Sequence, residues 1–121
     1  MKKLAHIRTN NGNREEQPLS AHCIQTAKYA SEELKEIGLY HVGYIAGLLH
    51  DIGKASEKFQ EYLEKAWAGE DVVRGSVQHT ATGVIFVLER YHNEKEFCRL
   101  LTAEMIAYGI GGHHGLFDGV N

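Results

Sequence analysis

From residue 19 onward, apolar residues recur at steps of three and four: Leu19, Cys23, Ala27, Ala30, Leu34 and Ile37, until Gly38 interrupts the run. This spacing predicts an amphipathic helix that starts at Pro18-Leu19-Ser20 and stops at Gly38. A second helix is predicted from about His41 to Ile52. Its apolar residues Val42, Ile45, Ala46, Leu48, Leu49 and Ile52 cover most of the circumference, as in a central, buried helix. Gly53 reads as its left-handed stop. Ser56 is placed to cap a third helix reaching about Ala66, with Phe59, Tyr62, Leu63 and Ala66 inward. Residues 77–91 contain GVIFVL, which alone resembles a strand, yet Val77, Ala81, Val84, Ile85, Leu88 and Tyr91 keep the helical period. Asn93 with Glu96 resembles a capping box opening a fifth helix, which carries Phe97, Leu101, Met105 and Tyr108 on one face and ends at Gly109 or soon after. Residues 1–17 are polar, with an NNGN cluster and a charged REEQ, and predict a loop or flexible arm. Five helices without a strand make an all-α bundle of one domain over residues 1–121.

Composition narrows the function classes. A chain of 121 residues with net charge −3 and pI near 6.2 has no global basic field, so an anionic substrate must be held locally. Cys23 and Cys98 fall in apolar stripes with no metal-type pairing, which predicts two reduced core thiols and a reducing compartment. No apolar run approaches the ~20 residues needed to span a bilayer, so a soluble, cytoplasmic protein with no membrane partner is expected.

The histidines supply the candidate chemistry. GLLHDIGK, residues 47–54, sets His50 beside Asp51 at the end of the second helix. An imidazole nitrogen and a carboxylate are the donors a borderline divalent cation prefers, and the partial negative charge of a helix C-terminus favours a cation there. His22 falls in the first turn of its helix, and His79 in the first turn of the fourth. His113 and His114 lie among Gly111, Gly112 and Gly115, where an irregular backbone can aim both inward. Six donors from four places exceed what one zinc needs and suggest two ions. Asp51 would give one oxygen to each, His22 and His50 completing one site and His79, His113 and His114 the other. Such a pair suits phosphoester hydrolysis, with Lys54 lending positive charge to the phosphate. His6, His41 and His92 are read as ordinary polar residues, and Tyr108 and Phe117 as packing residues rather than base-stacking platforms.

These residues resemble the HD superfamily of metal-dependent phosphohydrolases, named for the adjacent pair seen here as His50-Asp51. The LAH at residues 4–6, the His22 helix, GLLHDIGK, FQEYL at 59–63, QHT at 78–80 and GGHHGLFD at 111–118 together are similar to the HD nuclease domain of the type I CRISPR helicase-nuclease. The resemblance implies cleavage of single-stranded DNA with divalent transition metals such as manganese, nickel, cobalt, iron or zinc. It also implies a helicase, fused or separate, and a guide-RNA surveillance complex as partners. By the same resemblance His22, His50 and Asp51 match one metal site, Asp51, His79, His113 and His114 the other, and Lys54 the lysine of the HD-x-G-K motif. Family members complete the first site with an aspartate from a later helix, whereas the sequence ends at Asn121 and Asp118 stands close to His114. The expectation is therefore the N-terminal portion of a longer or split nuclease. It would have a weakened first site and an apolar face left exposed for self-association.

Two other readings stay open on the residues alone. One is a superfamily enzyme acting on a nucleotide or cyclic nucleotide, against which the His113-His114 doublet argues. The other is a non-catalytic HD module that only docks a partner.

Overall fold

Residues 4–18, polar as they are, fold into an antiparallel hairpin: β1, Leu4–Asn10, pairs with β2, Asn13–Pro18. The computed structural model describes residues 2–74, 76–92 and 96–115, the side chains of Thr80, Tyr91 and residues 112–115 excepted. Asn11 and Gly12 form the turn, both with positive φ (51° and 80°), as a tight two-residue hairpin requires. The expected flexible arm is thus a hairpin. The strands escaped the pattern because, of their residues, only Leu4 and Ala5 are buried, and no apolar alternation develops. Register shifts between Leu4, opposite Pro18, and His6, opposite Gln17. Ala5 is therefore an extra residue, a bulge that turns two successive side chains inward.

Among the described residues the helices follow in the expected order and number, and these residues are mostly helical. Helix α1, Leu19–Leu34, continues into a 3-10 turn, Lys35–Ile37, and stops at Gly38 with φ 78°. Helix α2, Tyr40–Leu49, is shorter than the apolar run: His50 is its C-cap, Asp51 lies outside it, and Ile52–Ala55 form a second 3-10 turn. Helix α3, Glu57–Trp67, is capped by Ser56, whose hydroxyl accepts from Phe59 N at 3.2 Å. Helix α4, Thr80–Tyr91, begins one residue after His79, which is its N-cap rather than a first-turn residue. Helix α5, Phe97–Gly115, passes through Gly109 and continues through the HH doublet, where the sequence predicts an earlier end. Asn93, half of the expected capping box, lies outside the described residues.

Helix α1 packs on α2, which packs in turn on α5, and α4 packs on α5. At the first contact the backbones touch: a Cβ on Gly47 would lie 2.7 Å from Ala27 Cα. One core joins Val87, Ala103, Ile106, Ala107 and Ile110 to Val42, Ala46, Leu49 and Val84. A second, under the hairpin, joins Ala5, Leu19 and Cys23 to Leu48 and Ala55. The faces of α4 and α5 differ from those predicted. Ile85 and Leu88, Phe97, Leu101, Met105 and Tyr108 are exposed, while Val87 and the Ala103–Ile110 face are inward. Both helices are apolar round most of their circumference, so periodicity alone did not choose the packed side. Cys98 is likewise exposed, and only Cys23 matches the expected buried thiol. Ala66, predicted inward, is exposed at the end of α3. Among the described residues no helix is long and apolar enough to cross a membrane.

Candidate metal centre

Three elements converge on Asp51, whose side chain is nearly sealed from solvent at 4% exposure. From the first turn of α1, His22 places Nε2 2.8 Å from Asp51 Oδ2. From the end of α2, His50 places Nε2 3.0 Å from the same oxygen. From the start of α4, His79 faces the other oxygen, with Nε2 3.6 Å from Oδ1. Lys54, buried in the 3-10 turn rather than solvated, lies 3.4 Å from Oδ2 and donates a long bond of 3.5 Å to Ala5 O. The turn after α2 is what makes this possible, because it takes Asp51 off the helix while keeping it beside the α2 carbonyl end.

His50 Nδ1 lies 2.5 Å from Gly47 O. A carbonyl only accepts, so Nδ1 carries a proton; Nε2, facing the Asp51 carboxylate, donates to it when protonated and offers its lone pair to a metal once that proton leaves. Burial is the largest influence on the His50 pKa and pulls it down. The hydrogen bonds to Asp51 and Gly47, with the charge of Asp51, outweigh it and leave the pKa raised. A cation at Nε2 would displace the proton that these acceptors favour.

The donor set fits a divalent ion. The ligand atoms of His22, His50 and Asp51 all lie within 4.8 Å of one another, and ligands about 2.0–2.2 Å from one ion stand about 3–4 Å apart. Nitrogen and oxygen donors of this mixture suit several transition metals. His113 and His114 fall on the last turn of α5, and their side chains, like Phe117 and Asp118, lie outside the described residues.

Gly53 is not a left-handed stop, since its φ is not positive. A Cβ there would lie 2.1 Å from His79 O, so the missing side chain lets the Asp51 turn and the start of α4 meet. Gly83 allows a close approach in the same way: its Cβ would lie 2.5 Å from Leu49 O. Phe59 steadies two members, its ring edge-on to His79 with centroids 4.9 Å apart and 5.5 Å from Lys54 Nζ.

The sequence passed over two residues that belong to this neighbourhood. Gln60 Nε2 donates to Leu4 O and Lys54 O at 2.8 Å each, and its Oε1 accepts from Leu4 N at 2.9 Å, tying β1 to the Asp51 turn. His6, read as an ordinary polar residue, sets its ring at 89° to that of His22 with centroids 5.2 Å apart. Its pKa is lowered, first by burial and then by Lys54 and His22, against the opposing pull of Asp51. The one signal available was the LAH tripeptide ahead of a turn, which has no apolar period to announce a strand. His41 and His92 lie away from the group, the latter paired with Glu104 at 2.7 Å.

A family model for the Cas3 HD domain matches residues 34–120, a span that includes His50, Asp51, Lys54, His79, His113 and His114 and begins after His22. His22 joins the group on geometry. No curated protein matches the chain.

Proposed function

The chain belongs to the Cas3 HD-domain family, and from that premise we propose that it cuts single-stranded DNA in type I CRISPR interference, with divalent ions held by His22, His50, Asp51, His79, His113 and His114. Membership itself carries the broader assignment, a metal-dependent HD phosphohydrolase or nuclease with a nucleic-acid substrate in a CRISPR setting. The finer reading is carried by one observation, the division of donors between the two oxygens of Asp51: His22 and His50 at Oδ2, His79 at Oδ1. A carboxylate flanked in this way suits bridging. Divalent ions held by these residues would supply positive charge to the scissile phosphodiester and acidify a water for attack on it.

The chain's own groups have distinct tasks in this reading. Gly47 O fixes His50 in the tautomer that presents Nε2, and Phe59 fixes the plane of His79. Lys54, held between Asp51 and Ala5 O, keeps an ammonium where negative charge on phosphate gathers. Manganese, nickel, cobalt, iron or zinc would each suit the donors. A helicase, fused or separate, and a guide-RNA surveillance complex would deliver the strand, which removes the need for a basic surface on a chain of net charge −3.

Circular single-stranded DNA tests this reading, because it yields only to an internal cut. Cleavage with manganese or nickel that stops with EDTA and in Asp51→Asn is the expected result. Cleavage undiminished in Asp51→Asn, or none in a chain that binds metal, would refute it.

A further inference from the structure

The hairpin is fastened to the metal centre at three points: Gln60 bridges Leu4 to Lys54, Lys54 Nζ reaches Ala5 O, and the His6 ring rests on His22. At the bulge both Leu4 and Ala5 turn inward, and His6 emerges next, exposed to solvent while in contact with His22. Bulges re-aim side chains in this way beside active sites. His6 also lines an open cavity of about 370 Å³ with Arg8, Glu15, Glu16, Gln17 and Pro18. The two carboxylates there are engaged by arginines, Glu15 by Arg8 at 2.6 Å and Glu16 by Arg14 at 2.7 Å. A phosphate approaching this cavity therefore meets no free arginine at those two pairs. It meets an imidazole already touching His22.

We propose that His6 is a substrate-binding residue of the centre, donating an N–H to a non-bridging oxygen of the nucleic-acid phosphate beside the group held at Asp51. A neutral imidazole always carries one N–H, so the contact needs no change of charge. The proposal rests on the nuclease reading and assigns to the hairpin the wall along which the strand lies. His6 binds substrate and is not a metal ligand.

Steady-state cleavage of a single-stranded oligonucleotide by wild type, His6→Ala and His6→Gln, with metal content measured on each, separates these roles. His6→Ala should raise KM about tenfold or more with kcat within about twofold and metal content unchanged, the loss expected for a hydrogen bond to a charged oxygen. His6→Gln, which keeps an N–H donor, should restore much of KM. An unchanged KM overturns the proposal, and so does a fall in metal content, which would make His6 a ligand. If wild type does not cleave, the nuclease reading fails by itself. Calorimetric titration of the metal-loaded chain with thymidine 5′-monophosphate then decides His6 separately. Binding weakened about tenfold in His6→Ala supports the contact, while equal affinity or no binding overturns it.

Discussion

Replacing Gly53 with alanine tests how the centre is assembled. The new Cβ would stand 2.1 Å from His79 O and 2.7 Å from His79 C and Cα, and ordinary contact begins at 3.4 Å. The Asp51 turn and the start of α4 must therefore part by about 1.3 Å, from 2.1 to 3.4 Å. The obstacle is backbone, which cannot swing aside as a side-chain tip can. Overpacking of this kind costs about 1–3 kcal/mol, and here the upper end is expected. The larger effect falls on chemistry, because His79 is carried away from Asp51 Oδ1 and a misplacement of about 1 Å costs roughly 100-fold in rate. Gly53→Asn sharpens the test, since asparagine tolerates a left-handed cap but not a closed gap. Urea denaturation and oligonucleotide cleavage should show both variants damaged, asparagine at least as badly as alanine. Gly109→Ala is the control: nothing lies within 4 Å of its Cβ, and alanine in a helix should stabilise by about 0.5–1 kcal/mol. A Gly53→Ala chain within about 0.5 kcal/mol of wild type with undiminished cleavage would refute the close-approach account.

Gln60→Ala removes three hydrogen bonds between β1, α3 and the Asp51 turn, and at about 0.5–1.5 kcal/mol each should cost about 2–4 kcal/mol in urea denaturation; a loss below about 0.5 kcal/mol would show that the hairpin is held otherwise. Thiol titration of the native chain should find Cys98 reactive and Cys23 protected, because Cys98 is exposed whereas burial, and then the Asp51 charge, raise the Cys23 pKa; equal rates would contradict the burial described. The exposed stripe of Phe97, Leu101, Met105 and Tyr108 should promote association, and sedimentation of Leu101→Lys with Met105→Lys should show less of it than wild type; no difference would remove that face as the cause.

The helical order was legible because α1 and α3 each carry an interruptible period with a stop or cap, Gly38 for the one and Ser56 for the other. The centre was legible because a histidine-aspartate pair at a helix end is chemically conspicuous, and His22, His50, Lys54 and His79 all meet Asp51 in space. Other features left weaker traces. The hairpin buries only Leu4 and Ala5, and a bulge breaks even that short alternation, so its strands and His6 carried no periodic signal. The packed face of α5 depends on where α2 and α4 lie, a tertiary fact that no single helix records when most of its surface is apolar. Gly53 shows a third limit: a glycine required by a neighbour's backbone looks, in one dimension, the same as one required by its own φ.

Metal uptake by the EDTA-stripped chain tests the central claim most directly. Calorimetric titration with manganese or nickel should find at least one ion bound per chain in wild type, weakened binding in His22→Ala, and none at this site in Asp51→Asn. No uptake by the folded wild-type chain, or uptake unchanged in Asp51→Asn, would contradict the claim that the side chains gathered on Asp51 form a metal centre.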